Sequence, residues 1–178
     1  MNTPSTDIQI KDLMTQNVIT VTQDTPVIEV ARLLVTHRIS SIPVLDSNQH
    51  LVGMISISDV YMKEDSIPPT QRTLLSLFNA PVIPSLLIEV YAKRGSKVLA
   101  EDIMQPTVIW ISESDSLVDA IQRMRKHKVN SLPVLRASAD GASRLAGIVT
   151  RSDIIGHLIG KPEVLSRMDI NISRLSNV

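Results

Sequence analysis

The sequence has no cysteine, which excludes disulfides, zinc–thiolate centres and thiol catalysis together. Aromatic residues are nearly absent, limited to Tyr61, Phe78, Tyr91 and Trp110. So few rings weigh against a base-stacking platform for single-stranded nucleic acid, and they oblige the core to be aliphatic. No apolar run approaches the ~20 residues of a membrane span. Residues 1–7 carry neither a basic start nor an apolar stretch, so no signal peptide is expected and a cytoplasmic location is. There is no excess of charge of either sign: eighteen Lys and Arg balance eighteen Asp and Glu. The whole chain thus has no electrostatic pull toward nucleic acid or anionic lipid. The halves differ, with five basic against nine acidic residues before position 91 and thirteen against nine after it.

What the sequence has in abundance is itself. Shifted by 90 positions, 11–45 overlies 101–135 without a gap. Asp12 meets Asp102, Met14 meets Met104, His37 meets His127, and Pro43-Val44-Leu45 meets Pro133-Val134-Leu135. The second copy then carries four extra residues around Ala139-Asp140-Gly141, which a turn can absorb. The match resumes at an offset of 94, with Gly53 on Gly147 and Ser58-Asp59 on Ser152-Asp153.

Each copy reads as β-α-β-β-α, an α/β (α+β) unit. Val18–Val21 and Val108–Ile111 are β-rich runs. Thr25-Pro26 predicts an N-cap with proline at the first helical position, and Ser116 with Asp119 predicts a capping box. Val27, Val30, Ala31 and Leu34 form one helical stripe, and Leu117, Ala120, Ile121 and Met124 the other. Ile42–Leu45 and Leu132–Leu135 predict a second strand, Leu51–Ile55 and Leu145–Val149 a third, and a final helix starts near Asp59 or Asp153. Such a unit, about 55 residues long, is small to stand alone, so two are expected to pack by their sheets with pseudo-twofold symmetry. The predicted organisation is a tail (1–7), repeat 1 (8–61), a connector (62–99), repeat 2 (100–160) and a second tail (161–178). Leu74–Phe78 and Leu86–Tyr91 predict short helices in the connector.

The paired Asp-Leu-Met (12–14) and Asp-Ile-Met (102–104), the segments Ser40–Val44 and Asn130–Val134, and the stretches 53–59 and 147–153 resemble a tandem pair of CBS (cystathionine-β-synthase-type) domains. The likeness covers roughly 8–61 and 100–160. Read without the family, Gly147–Asp153 runs from a strand into a helix start, where a hydroxyl and free N–H groups favour an anion. An Asp in the first turn can accept from paired sugar hydroxyls or simply stabilise the helix start. The resemblance implies a regulatory module that holds AMP, ADP, ATP or a related adenosyl ligand in clefts between repeats, requiring no other cofactor. Carried over, one site combines Ile19, Ser40 and Ser41 with Thr150, Arg151, Ser152 and Asp153. The other combines Ile109, Asn130 and Ser131 with Ser56, Ser58 and Asp59. Kinase-regulating relatives place Arg or His before the apolar-Pro pair. Here Ser and Asn stand there, which weighs against tight di- or triphosphate binding; Arg151 is the only cation within either Gly-to-Asp stretch, so unequal sites are expected.

The other conspicuous residues read more plainly. His37 and His127 suit helix C-termini, and 123–128 reads as the solvated face of an amphipathic helix rather than a nucleic-acid surface. Trp110 reads as core or dimer interface. No nucleophile elbow, Gly-rich loop ending in Lys, or paired metal-ligand histidines occur, so no enzyme activity and no metal are expected. The expected role is a stand-alone regulator that signals to a partner in trans and forms a homodimer. The alternative is a structural or dimerisation module with vestigial clefts.

Overall fold

The structure is a computed structural model, and it describes residues 8–62, 98–138 and 141–160. The helices expected in the connector, Leu74–Phe78 and Leu86–Tyr91, and both tails lie outside these residues. The described chain divides into two compact units, one of residues 19–108 and the other of the residues before 19 and after 108.

The 19–108 unit holds β1 (Val21–Thr22), α1 (Val27–Thr36), β2 (Ser41–Leu45), β3 (Leu51–Ser56), α2 (Ile57–Met62) and α3 (Ala100–Ile103). Its sheet has the order β1-β2-β3, with β1 parallel and β3 antiparallel to β2. The helical stripe expected from the sequence, Val27, Val30, Ala31 and Leu34, is the buried face of α1. It packs with Ile42, Val44, Ile55 and Val60 into an aliphatic core.

The other unit repeats the plan with a 3-10 turn (Ile10–Asp12), β4 (Ile111–Ser112), α4 (Leu117–His127), β5 (Ser131–Ala137), β6 (Ser143–Thr150) and α5 (Arg151–Gly160). Leu117, Ala120 and Met124 are buried, and Ile121 is partly buried against the same core. The four extra residues do more than fill a turn. They lengthen the hairpin by the pairs Arg136↔Arg144 and Ala137↔Ser143.

Three local expectations are corrected. The first strands are not Val18–Val21 and Val108–Ile111 but two-residue strands beginning at Val21 and Ile111. They pair only with Val44-Leu45 and Val134-Leu135, because Pro43 and Pro133 just before have no N–H to extend the ladder. Thr25 does not cap α1. Its hydroxyl accepts from Thr22 N–H (3.0 Å), and the N-cap is an extended Pro26. Trp110 is not core: it is 44% exposed, with the Arg123 guanidinium 6.0 Å from its ring centroid. The Ser116–Asp119 capping box does form. Asp119 N–H donates to Ser116 Oγ, and Ser116 N–H and Oγ–H donate back to the carboxylate.

The compact units do not follow the sequence repeats. Residues 98–105, which open repeat 2, dock on the strands of repeat 1, while residues 8–15 dock on those of repeat 2. Ile10 and Met14 enter one core, Ala100 and Ile103 the other. Each lead segment makes five backbone hydrogen bonds to its host. In the 19–108 unit Val27 N–H, at the start of α1, donates to Val98 C=O (3.0 Å), and Gln105 exchanges both bonds with Met54 (2.8 and 3.1 Å). In the other unit Leu117 N–H donates to Ile8 C=O (2.9 Å), and Thr15 exchanges both with Ile148. The lead segments thereby satisfy helix-start donors that would otherwise be orphaned.

Two glycines permit this approach. A Cβ on Gly53 would lie 2.5 Å from Met104 Sδ, and one on Gly147 2.6 Å from Met14 Sδ and 2.9 Å from the Thr15 carbonyl oxygen. Met104 can adjust, being flexible, but a backbone oxygen cannot move cheaply. Gly53→Ala and Gly147→Ala are both expected to destabilise the protein, by about 1–3 kcal/mol for overpacking. Gly147→Ala should be the more severe, as urea unfolding will show.

Ser116→Ala should cost about 1 kcal/mol for loss of the α4 cap. Hydrogen bonds from the Ser116 hydroxyl and N–H hold the Asp119 carboxyl below its ordinary 3.8. That contribution is complete above the ordinary value and is lost as pH falls through the depressed one. The stability gap between wild type and Ser116→Ala should therefore narrow below about pH 4, measured by denaturant titration at several pH values.

Candidate functional site

The two Gly-to-Asp stretches fold alike. Each runs out along the last strand of its hairpin and turns directly into a helix, β3 into α2 and β6 into α5. Register places the residues before each proline beside the turn: Ser41 pairs with Ser56, and Ser131 with Thr150. Ile57 N–H donates to Ser40 C=O and Arg151 N–H to Asn130 C=O, both at 3.0 Å. The structure thus gathers Ser40, Ser41, Ser56, Ser58 and Asp59 in one unit. In the other it gathers Asn130, Ser131, Thr150, Arg151, Ser152 and Asp153. Ile19 and Ile109 are half-buried just before β1 and β4, packed against their own cores.

Within each turn the carboxylate is a capping group. Asp153 Oδ2 accepts from Thr150 N–H and from the Thr150 hydroxyl, both at 2.8 Å, while Asp153 N–H donates to Thr150 Oγ1 (3.3 Å). Asp59 Oδ2 accepts likewise from Ser56 N–H (2.7 Å) and the Ser56 hydroxyl (2.5 Å). Helix-start stabilisation is therefore real at both positions. It also corrects the expectation of a turn rich in free N–H groups, since those of Thr150, Arg151 and Asp153 are already engaged.

The second carboxylate oxygen distinguishes the turns. Asp153 Oδ1 has no hydrogen-bond partner among the described residues. Asp59 Oδ1 accepts from the Gln105 side-chain Nε2 at 2.9 Å. Sequence reading passed over Gln105, which lies 46 positions from Asp59 and outside every motif piece. Its one signal is the 90-residue offset, which places Thr15 at the matching position.

Arg151 and Ser152 are exposed at the start of α5, and Ser58 at that of α2. The Ser58 hydroxyl lies 3.1 Å from that of Ser56. A half-buried, acceptor-only carboxylate edge flanked by hydroxyls suits a vicinal diol. An adjacent exposed guanidinium suits an anion. Neither group supplies a nucleophile with a base. Among the described residues no cluster of three or more His, Asp and Glu side chains could hold a metal ion. Nor is any helix among them long and apolar enough to cross a membrane.

Known proteins carry the same architecture. An uncharacterised protein of Methanocaldococcus jannaschii is 33% identical over 157 residues, covering 84% of this chain and 90% of that one. The chain spans 55% and 61% of two chloroplastic CBS domain-containing proteins of Arabidopsis thaliana, each 32% identical to it. Among solved structures, CBSX2 in complex with AMP is 27% identical with a TM-score of 0.58, over 85% of this chain and 96% of that one. The CBS domain pair of protein MJ0100, in complex with 5′-methylthioadenosine and S-adenosyl-L-methionine, is 25% identical with a TM-score of 0.59, over 86% and 97%. The CBS domain profile matches residues 10–64 and 100–160, the two segments that carry the doubled turn. With both repeats matched and both sheets built to one plan, this chain belongs to the CBS domain family, as a tandem pair.

Proposed function

We propose that this protein is a regulatory module that binds adenosine-containing ligands of the AMP type and passes their occupancy to a partner protein. The observation that carries the reading is Oδ1 of Asp153, without a partner among the described residues and held beside Thr150 and Arg151 by a cap that uses only the other oxygen. A ribose presents two adjacent hydroxyl donors to such an edge, and the phosphate lies within the chemistry of Arg151. The base is met by backbone at Ile19 or Ile109 and by the polar residues before each proline, as the resemblance implies. Relatives crystallised with AMP and with S-adenosyl-L-methionine support the ligand class, since the adenosyl group is what those molecules share. The ligand acts as regulator, with no cofactor required and no chemistry performed on it. A cytoplasmic location belongs to the same reading.

Signalling in trans requires a surface, and the proposal includes a homodimer. Ile155 and Ile159 on α5 are 54% and 73% exposed, apolar area that a second copy would cover. Light scattering is expected to return twice the chain mass of 19.6 kDa. A monomer mass at high concentration contradicts this part of the proposal.

Asp153→Asn separates the two duties of the carboxylate, because an amide oxygen can still accept the Thr150 N–H while the amide nitrogen faces the diol as a donor. AMP binding should weaken about tenfold or more, for loss of a charge-assisted bond. Melting temperature should change little. Arg151→Ala should weaken AMP far more than adenosine, which lacks the phosphate. Unchanged AMP affinity in Asp153→Asn, read by titration calorimetry, contradicts ribose binding by this residue.

A further inference from the structure

The two turns share a carboxylate cap and a register, and they differ in what meets the second carboxylate oxygen. In the 19–108 unit the backbone exchange between Gln105 and Met54 fixes where the Gln105 side chain starts, on the strand that leads into the Ser56–Asp59 turn. From there its amide reaches Asp59 Oδ1 at 2.9 Å. With Ser56 filling Oδ2, both oxygens of Asp59 are engaged. In the other unit the same backbone exchange joins Thr15 to Ile148. The threonine side chain ends two bonds short of where a glutamine amide begins donating, and Asp153 Oδ1 is left without a partner among the described residues.

We infer that Gln105 is a specificity-determining residue that competes with a ligand diol for Asp59, so that the protein reads its ligand mainly through Asp153. This rests on the proposed adenosine binding and deepens it, because it assigns unequal occupancy to a residue outside both motif stretches. The amide donates to Oδ1, the oxygen that the proposal gives to a sugar hydroxyl, so amide and diol compete for it. Gln105 is exposed, and its bond is accordingly a competitor that can be displaced rather than a permanent plug. The Asp59 site is weakened, not abolished. A ligand must first break a bond to a charged acceptor, which corresponds to about tenfold in affinity. Two sites of graded affinity widen the concentration range over which a module responds, and the grading here lies in one side chain.

The experiment is titration calorimetry of the full chain with AMP, on wild type, Gln105→Ala, Gln105→Thr and Thr15→Gln. All substituted positions are exposed, and thermal melting checks that each variant is folded. Wild type should show one dominant site and a second about tenfold weaker. Gln105→Ala and Gln105→Thr should tighten only the weaker site, by about tenfold, leaving the dominant one unchanged. Thr15→Gln should weaken the dominant site and leave the other. Two equal sites in wild type, or a weaker site that both Gln105 variants leave unmoved, overturn the inference while adenosine binding stands. Absence of AMP binding in wild type and in every variant overturns the binding proposal itself.

Discussion

The docking of each lead segment onto the strands of the other repeat is the interaction on which the remaining structure depends. It is possible only because Met14 lies across Gly147 and Met104 across Gly53, at a separation that leaves no room for a Cβ. Five backbone hydrogen bonds then stitch each segment to its host, at the helix start on one side and along the last strand on the other. Ile10 and Met14, or Ala100 and Ile103, complete cores that the hairpin and its helices leave open. A unit of this size has little core of its own to spare, so borrowed aliphatic side chains count for much. The same stitching sets positions 15 and 105 beside the carboxylate turns.

Those turns show how one side chain can serve structure and binding together. A carboxylate has two oxygens, each able to accept twice. The cap uses Oδ2 and fixes the rotamer, so that Oδ1 points in a defined direction without further support. Pre-organisation of this kind lowers the ordering cost of ligand binding. Helix capping and ligand contact are therefore not rival explanations of Asp153, since the first holds the group in the pose that the second requires.

Much of this was legible in the residues, because it is local. The helical stripes of α1 and α4, the capping box at Ser116 and the doubled strand-to-helix turn are all patterns of nearest neighbours along the chain. Errors arose where a distant partner decided the outcome. Val18–Thr20 have the composition of a strand, yet Pro43 has no N–H with which to extend the ladder, and pairing starts at Val21. Thr25-Pro26 has the look of a cap, but the distant pairing of Pro26 with Leu99 keeps it extended, and the nearby Thr22 N–H takes the Thr25 hydroxyl. The exchange of lead segments is invisible to periodicity, since Asp-Leu-Met and Asp-Ile-Met fit either host equally well by composition. Gln105 was missed for the same reason: an amide gains meaning only from the carboxylate it reaches, 46 residues away.

The most direct test of the account is a crystal structure of the protein grown with AMP at a concentration that fills only the tighter site. The account predicts both ribose hydroxyls on the Asp153 carboxylate, the Thr150 cap unbroken, and Gln105 still bonded to Asp59. AMP seated on Asp59 with Gln105 displaced and Asp153 empty, or bound away from both carboxylates, would contradict it.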